Sequence, residues 1–359
     1  MNRILLHIFS GLLLVIICGP AVKAQTYQER VTIIHNNIKK YFTDSKTGLY
    51  YETTGEQKEN PHSWLWPLCA LVQASNEMEV LNPKGNFLAS VVKTIDQYYS
   101  KAAPAPAYQD YVTAERASSR FYDDNQWIAI TYLDAYQRTG NKIYLNKSKE
   151  IYRFLLTGYD TAAGGGIYWK EGDKTTKNTC SNGPNILVSL QLYKITGDKK
   201  YMDTAMLIYD WTNKHLRSPD GVFYDAVKLP SMKIDSGLYT YNTGTMLQSN
   251  VLLYELTKNK KYLAAAKTIA KAGETHFYKN GKLPSHYWFN AVFLRGYLEL
   301  YKVEKDKSRL QFIINDAERV WKDERDEQNL LGRENTKALL LQAGMLEIYA
   351  RLANLNKEM

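Results

Sequence analysis

One helical module recurs along this chain, and the repeat limits the possible fold more than any other feature of the sequence. Each copy contains an amphipathic helix, a stop, a polar turn, and a second helix that an aromatic residue opens. The copies lie at residues 132–145, 190–202, 253–263 and, in a weaker form, 298–306. Gly140 and Gly197 stand where a helix C-cap needs a left-handed backbone, which glycine adopts without steric cost. The repeat therefore predicts a series of αα-hairpins.

Hydrophobic periodicity extends this pattern to about twelve helices. We place them near residues 27–42, 63–80, 86–101, 125–139, 142–158, 184–196, 198–217, 244–258, 260–278, 288–303, 307–326 and 335–355. Strand signals are few and short, as at residues 166–169 and 221–224. Six hairpins predict an all-α (α/α)6 toroid, a single domain over residues 25–359. Long loops between the hairpins are expected to gather on one face and to open a cleft there.

The N-terminus has the pattern of a secretory signal peptide. A basic start, an apolar run over residues 4–17 and small residues before Gln25 are typical of such a segment. We therefore expect residues 1–24 to be removed and the protein to be periplasmic or secreted. The apolar run is shorter than the about 20 residues that cross a membrane. Lipidation at Cys18 is the alternative, which the bulky Ile17 before it disfavours.

Charge and cysteine content exclude some classes of function. The full chain carries a formal net charge of +9, but its lysines alternate with acids on helix faces, as at residues 147–150. This pattern is typical of solvated helices, so we expect no nucleic acid partner, no membrane span and a monomer. The isolated histidines lack metal-ligand spacing, and no metal or cofactor is implied. Cys69 and Cys180 could form one disulfide or remain two buried thiols.

Aromatic content favours carbohydrate handling. The full chain has 28 Tyr and 7 Trp, and the apolar faces of sugar rings stack on such side chains. Many of the tyrosines lie at core spacing inside predicted helices, so we assign most of them to packing. Trp64 and Trp66 are open to either role.

The chemistry is predicted at two consecutive carboxylates, Asp123 and Asp124, where a long loop meets an apolar helix. One aspartate would suffice as a helix N-cap, so the second needs another explanation. Retaining glycosidases hold two carboxyls about 5–5.5 Å apart, whereas inverting enzymes separate them by about 6.5–9.5 Å. Adjacent residues can reach the shorter distance, which favours retention. Mutual repulsion also raises one pKa, and that carboxyl can donate a proton.

Three segments resemble glycoside hydrolase family 76, the endo-acting α-1,6-mannanases. They are the Phe-Tyr-Asp-Asp-Asn-Gln-Trp run at 121–127, the Lys-Asn-Thr-Cys-Ser-Asn-Gly-Pro run at 177–184, and residues 239–244. The resemblance covers most of the mature chain. Two departures, Thr243 in place of the usual Gln and the absence of Lys-Gly within residues 289–295, affect the expected substrate contacts.

The resemblance implies roles for individual residues. Asp123 would be the nucleophile and Asp124 the acid/base in endo-hydrolysis of α-mannan polysaccharide or oligosaccharide, with retention. The candidate sugar-binding residues are Tyr122, Asn125, Trp127, Asn182, Tyr241 and Asn242. For each of these six, a loop-ordering hydrogen bond or a core position is the alternative.

Other functions remain open on the sequence. The same toroid carries unsaturated-uronyl hydrolases, polysaccharide lyases and sugar epimerases, although lyases and epimerases would need His or Tyr bases and basic clamps. Transglycosylation by the same carboxylates is a close variant. A glycan-binding protein without activity is a third alternative, which the intact aspartate pair disfavours.

Overall fold

The computed structural model describes residues 25–56 and 60–357, so the predicted signal peptide at residues 1–24 lies outside it. The described residues form twelve α-helices. These are α1 (Tyr27–Tyr41), α2 (Leu65–Leu81), α3 (Phe87–Ile95), α4 (Tyr122–Thr139), α5 (Lys142–Thr157), α6 (Thr179–Thr196), α7 (Lys199–Leu216), α8 (Thr240–Thr257), α9 (Lys260–Phe277), α10 (Tyr287–Glu304), α11 (Gln311–Asp323) and α12 (Leu339–Lys357).

Each turn in the repeated module joins a C-cap to an N-cap. Helices α4 and α6 end at Gly140 and Gly197, both in the left-handed region. In each hairpin the outer helix begins two residues after the C-cap of the inner helix. The side chain of the residue between them caps the outer helix, and these residues are Asn141 for α5, Asp198 for α7 and Asn259 for α9. Each of these side chains accepts a backbone N–H that the helix cannot satisfy itself. The polar turns of the repeat thus fix the hairpins, as predicted.

The even-numbered helices form a closed inner ring. Each packs on the next, from α2 through α4, α6, α8 and α10 to α12, and α12 packs back on α2. Helices α3, α5, α7 and α9 cover the outside of their preceding inner helices, while α1 and α11 lie against α12. This arrangement confirms the predicted (α/α)6 toroid. Within the described residues, no helix is both long and apolar enough to span a membrane.

Three inner helices begin earlier than predicted. Helix α4 begins at Tyr122 instead of 125, α6 at Thr179 instead of 184, and α8 at Thr240 instead of 244. Their first turns are polar, and in α6 and α8 a glycine follows the first turn directly, at Gly183 and Gly244, so all three starts resemble loops. Burial in the ring holds them helical, because tertiary packing outweighs intrinsic propensity.

The strands also differ from prediction. Residues 166–169 and 221–224 contribute isolated bridges at Ile167 and Phe223, and only Tyr224 enters a strand. The strands of the described chain are β1 (Tyr99–Ser100), β2 (Ala107–Tyr108), β3 (Thr176–Asn178), β4 (Tyr224–Lys228) and β5 (Lys233–Leu238). β1 pairs with β2, and β3, β4 and β5 form an antiparallel sheet in that order. The second sheet connects the loops that enter α6 and α8.

Candidate active site

A cleft of about 620 Å³ opens at the N-terminal ends of the inner helices. The second residue of five inner helices faces it, and these residues are Trp66, Asp123, Cys180, Tyr241 and Trp288. Because each inner helix enters the ring in the same way, the same helical position reaches the cleft from five directions. The partial positive charge of the helix N-termini is therefore directed toward this floor.

The aspartate pair lies within the first turn of α4, not in the loop before it. The N-cap is Phe121, which makes no side-chain capping bond, so capping does not explain either carboxylate. Asp123 Oδ2 accepts a hydrogen bond from Trp169 Nε1 at 3.2 Å. Burial raises the pKa of Asp123 to about 6, and the hydrogen bond from Trp169 acts in the opposite direction.

Asp124 lies deeper and is only 7% exposed. Burial raises its pKa well above the usual range, and the charges of Asp123 and Asp110 raise it further. The two neighbours therefore differ in proton affinity. Burial raises the proton affinity of both carboxyls, and the neighbouring charges raise that of Asp124 further. Two adjacent carboxyls of unequal proton affinity are what a nucleophile and a general acid need.

Two ion pairs, each with a buried cation and a partly exposed carboxylate, hold the loops around Asp123 and Asp124. Arg120 donates to Glu171 at 2.7 Å and to the carbonyl oxygens of three residues in the 102–105 loop. Lys177 is fully buried and donates to Asp160 Oδ1 at 2.8 Å. Because breaking a buried pair leaves an uncompensated charge, both contacts hold the loop that carries Trp169.

Of the six candidate sugar-binding residues, Trp127 and Tyr241 line the cleft. Tyr122 instead stacks on Phe154 within the core, at 4.9 Å between ring centroids. Asn242 is buried and its Nδ2 donates weakly, at 3.5 Å, to Asp225, which does line the cleft. Trp64 and Trp66, for which the sequence leaves two roles open, both line the cleft.

Asn125 and Asn182 are fully buried and occupy one equivalent position, the fourth residue of their helices. Asn125 Nδ2 donates to the N-cap carbonyl of Phe121 at 2.8 Å, and its Oδ1 accepts from Tyr108 N. Asn182 repeats both contacts, with Asn178 O and Ile167 N. These bonds tie each helix start to the preceding loop, which supports the loop-ordering alternative for both residues.

Sequence reasoning misses several cleft residues. Asp110, Trp169, Asp225, Tyr239 and Phe289 all line the cleft, yet the sequence patterns indicate none of them as a candidate. Four of them come from loops or strands whose path the helical period does not describe. For Cys180 the sequence suggests only a disulfide or a buried thiol, and the structure leaves both it and Cys69 as free buried thiols.

The lining is acidic and aromatic. It contains the carboxylates of Asp110, Asp123, Asp124 and Asp225, and no described residue that lines it is Lys, Arg or His. Most of the other lining residues are aromatic, and Trp169 and Tyr239 are each about two-fifths exposed. Such a surface fits an uncharged polyhydroxylated ring and repels an anionic ligand.

A helical toroid with two carboxyls of unequal proton affinity in an aromatic cleft defines a class, the carbohydrate-active enzymes of glycosidase type. Comparison with known proteins gives the family. The model described as "Glycosyl hydrolase family 76" matches residues 26–338. The chain belongs to glycosyl hydrolase family 76.

Individual relatives agree with this assignment. A GH76 α-mannanase structure from Bacteroides thetaiotaomicron has a TM-score of 0.87 and 27% identity, covering 93% of this chain and 97% of that one. A second structure is an inactive variant of an α-1,6-mannanase from Salegentibacter sp. HEL1_6 with α-1,6-mannotriose bound. Its TM-score is 0.80 at 20% identity, over 91% of this chain and 99% of that one, so the two proteins share the fold.

The matches to curated relatives cover a smaller share of each protein. The mannan endo-1,6-α-mannosidase DCW1 of Candida glabrata is 24% identical over 278 residues, which is 70% of this chain and 59% of that protein. The match to DCW1 of Saccharomyces cerevisiae, at 24% identity, covers 47% of this chain and 41% of that protein. The aligned part thus spans roughly half the length of these two proteins.

Proposed function

We propose that this chain is an endo-acting α-1,6-mannanase that hydrolyses its substrate with retention of anomeric configuration. The observation that carries the proposal is the position of Asp123 and Asp124, two adjacent carboxyls of unequal burial and unequal proton affinity, in an open, acidic and aromatic cleft. The names of the relatives, which are mannanases and mannan endo-1,6-α-mannosidases, support the substrate class.

The proposed reaction has two steps. In the first, the Asp123 carboxylate attacks the anomeric carbon while Asp124 gives its proton to the departing glycosidic oxygen, so that a covalent mannosyl–Asp123 ester forms. In the second, Asp124 as carboxylate takes a proton from water, the water oxygen attacks the anomeric carbon, and the ester bond to Asp123 breaks. No other group needs to supply or accept a proton.

The lining disfavours an anionic substrate. A uronic acid would need a cationic partner for its carboxylate, and the described lining residues provide none. Asp110 and Asp225, which take no part in the two steps, can instead accept hydrogen bonds from the hydroxyl groups of a sugar. A cleft of about 620 Å³ that is open to solvent also suits internal attack on a chain. We further propose export of the enzyme, on the basis of the signal-peptide pattern in residues 1–24.

The test uses unbranched α-1,6-mannan and three proteins: the wild type, Asp123→Ala and Asp124→Ala. We expect the wild type to release short oligosaccharides and either variant to lose about 10³-fold or more in kcat. ¹H NMR of the first product should show the α-anomer before mutarotation. Intact polymer with the wild type would refute the substrate, and an initial β-anomer would refute retention.

A second substrate separates the two roles. A 2,4-dinitrophenyl α-mannobioside has a leaving group acidic enough to depart as the anion without protonation, so Asp124→Ala should still release the phenolate in a rapid first step. Asp123→Ala should not, because it lacks the nucleophile. Equal release by both variants would show that the roles are assigned wrongly.

A further inference from the structure

Trp169 contacts the first turn of α4 through both its backbone and its side chain. Its carbonyl oxygen accepts the backbone N–H of Tyr122, the first residue of α4, at 3.0 Å. Its indole Nε1 donates to Oδ2 of Asp123, the second residue, at 3.2 Å. Because the N-cap residue Phe121 makes no side-chain capping bond, this loop residue satisfies a free N–H of the helix from outside. The proposed reaction uses Asp123 but gives Trp169 no part.

The backbone around Trp169 fixes the position of the indole N–H. Trp169 N donates to the carbonyl oxygen of Thr176 at 3.2 Å, and the next residue, Lys170, forms an antiparallel bridge with Phe121. The indole ring also packs against the Phe121 ring, with 4.9 Å between the ring centroids. The loop and the helix start are therefore joined at two successive residues. The N–H is in place before a substrate binds, which is what a preorganised site requires.

The indole bond is made on the less enclosed side of the Asp123 carboxyl. Oδ1 is buried and accepts no hydrogen bond within the described part of the chain, whereas Oδ2 accepts the bond from Trp169. Trp169 lines the cleft and is 40% exposed, so the bond lies at the surface that a substrate meets. The terminal torsion of an aspartate is broad, so a carboxyl without a fixed donor can rotate. A nucleophile depends on a fixed approach, and a misplacement of about 1 Å costs about 100-fold in rate.

We propose that Trp169 is a positioning residue for the nucleophile, in which the indole N–H holds Asp123 Oδ2 in the orientation for attack on the anomeric carbon. This inference rests on the proposed function, since it presumes that Asp123 is the nucleophile. The carbonyl of the same residue takes the first N–H of α4, so the donor and the helix that carries its acceptor keep one fixed relation.

The first test is Trp169→Phe, which keeps an aromatic ring beside Phe121 and the backbone contact to Tyr122 but removes the indole N–H. We expect a loss of about tenfold in kcat, as for one charge-assisted hydrogen bond, with a smaller change in KM. Loss of a donor to the charged form also raises the pKa of Asp123, so the acid limb of kcat/KM should move to higher pH.

A second variant separates the N–H from the size of the ring. Benzothienylalanine, introduced at position 169 by amber suppression, has the shape of tryptophan and carries sulfur in place of the indole N–H. It should reproduce both the loss in kcat and the shift of the acid limb. Wild-type values for this variant would show that ring size is what matters and would overturn the proposal.

Trp288→Phe is the matched control. Trp288 also lines the cleft, and its Nε1 also donates to a side-chain oxygen, but the acceptor is the neutral amide of Gln73, at 3.1 Å. Because Trp288 is buried, the thermal stability of the variant should fall, while its acid limb should stay in place. An unchanged acid limb in Trp169→Phe, or an equal shift in Trp288→Phe, would contradict the positioning role.

A readout without turnover keeps the proposal separate from the substrate. Titration of ¹³C-labelled aspartates by NMR, with Asp123→Asn to assign the signal, should give a higher pKa for Asp123 in Trp169→Phe than in the wild type. Equal values would refute the positioning role. A wild type that leaves α-1,6-mannan intact while the Asp123 pKa still responds to Trp169→Phe would refute the proposed substrate alone.

Discussion

At the scale of single residues, adjacency in sequence does not make Asp123 and Asp124 equivalent. Asp123 faces the cleft and accepts a hydrogen bond from Trp169, while Asp124 lies deeper with two acidic neighbours. The same amino acid therefore has two different proton affinities on one helical turn. The surroundings of each carboxyl, and not its identity, decide its role.

The charge of Asp110 is predicted to tune the acid. It is one of the two carboxylates that raise the pKa of Asp124. In Asp110→Asn that pKa should fall, so Asp124 loses its proton at lower pH and the alkaline limb of kcat/KM moves down. Asp225→Asn removes another cleft carboxylate that does not act on Asp124, and its alkaline limb should stay in place. The pH dependence of kcat/KM measures both.

The sequence predicts residues of the site only where a helix carries them. The aspartate pair, Trp127 and Tyr241 stand on helix starts, and their neighbours in sequence indicate the site. Asp110 and Trp169 reach the cleft from loops fixed by Arg120 and Lys177, and such ion pairs between distant segments have no periodic signature. Asn125 and Asn182 are predicted as ligands because polar residues near a carboxylate pair resemble binding residues, and their backbone bonds show another use.

At the scale of the helices, the close approach of α8 and α10 depends on glycine. A Cβ on Gly244 would lie 2.7 Å from Phe293 Cα, and one on Gly296 would lie 2.7 Å from Gly244 O. Neither neighbour is a side chain that can rotate away. The sequence places Gly244 in a family segment but cannot indicate this contact, because nothing in it specifies the distance between two helices.

Gly244→Ala is therefore predicted to destabilise the toroid. Backbone would have to shift to accept the methyl group, at about 2–3 kcal/mol of unfolding free energy. Gly140→Ala is the comparison, since its φ is +70° but an added methyl group would meet no atom within 4 Å, and only the left-handed strain of about 1 kcal/mol applies. Urea unfolding followed by circular dichroism gives both values. Similar losses at the two sites would argue against the close packing.

At the scale of the whole molecule, the hairpin repeat is sufficient to predict the architecture. Six similar hairpins bury their apolar faces when their first helices close into a ring. The contact of α12 with α2 completes the ring, although α2 and α12 lie near opposite ends of the chain. The helix starts are harder to predict, because the first turns that form the cleft floor are polar. Their helicity depends on the ring that surrounds them, a property of the assembled fold.

The assembled site should also lower the stability of the fold. The pKa of Asp123 is about 6 in the folded protein against an ordinary value of 3.8, so the folded state binds its proton more tightly than the unfolded state does. The contribution of Asp123 to the free energy of unfolding is fully present below pH 3.8 and is lost as the pH rises through 6. Asp123→Asn, neutral at every pH, should therefore be more stable than the wild type at pH 7.5, by about 1–3 kcal/mol, and equally stable near pH 4. Thermal unfolding at the two pH values measures the difference.

Asp198→Asn is the control for this prediction. Asp198 caps α7, and asparagine caps α5 and α9 at the equivalent position, so the variant should give no gain in stability at pH 7.5. A gain for Asp123→Asn of the same size at both pH values would indicate improved packing and not relief of a buried charge.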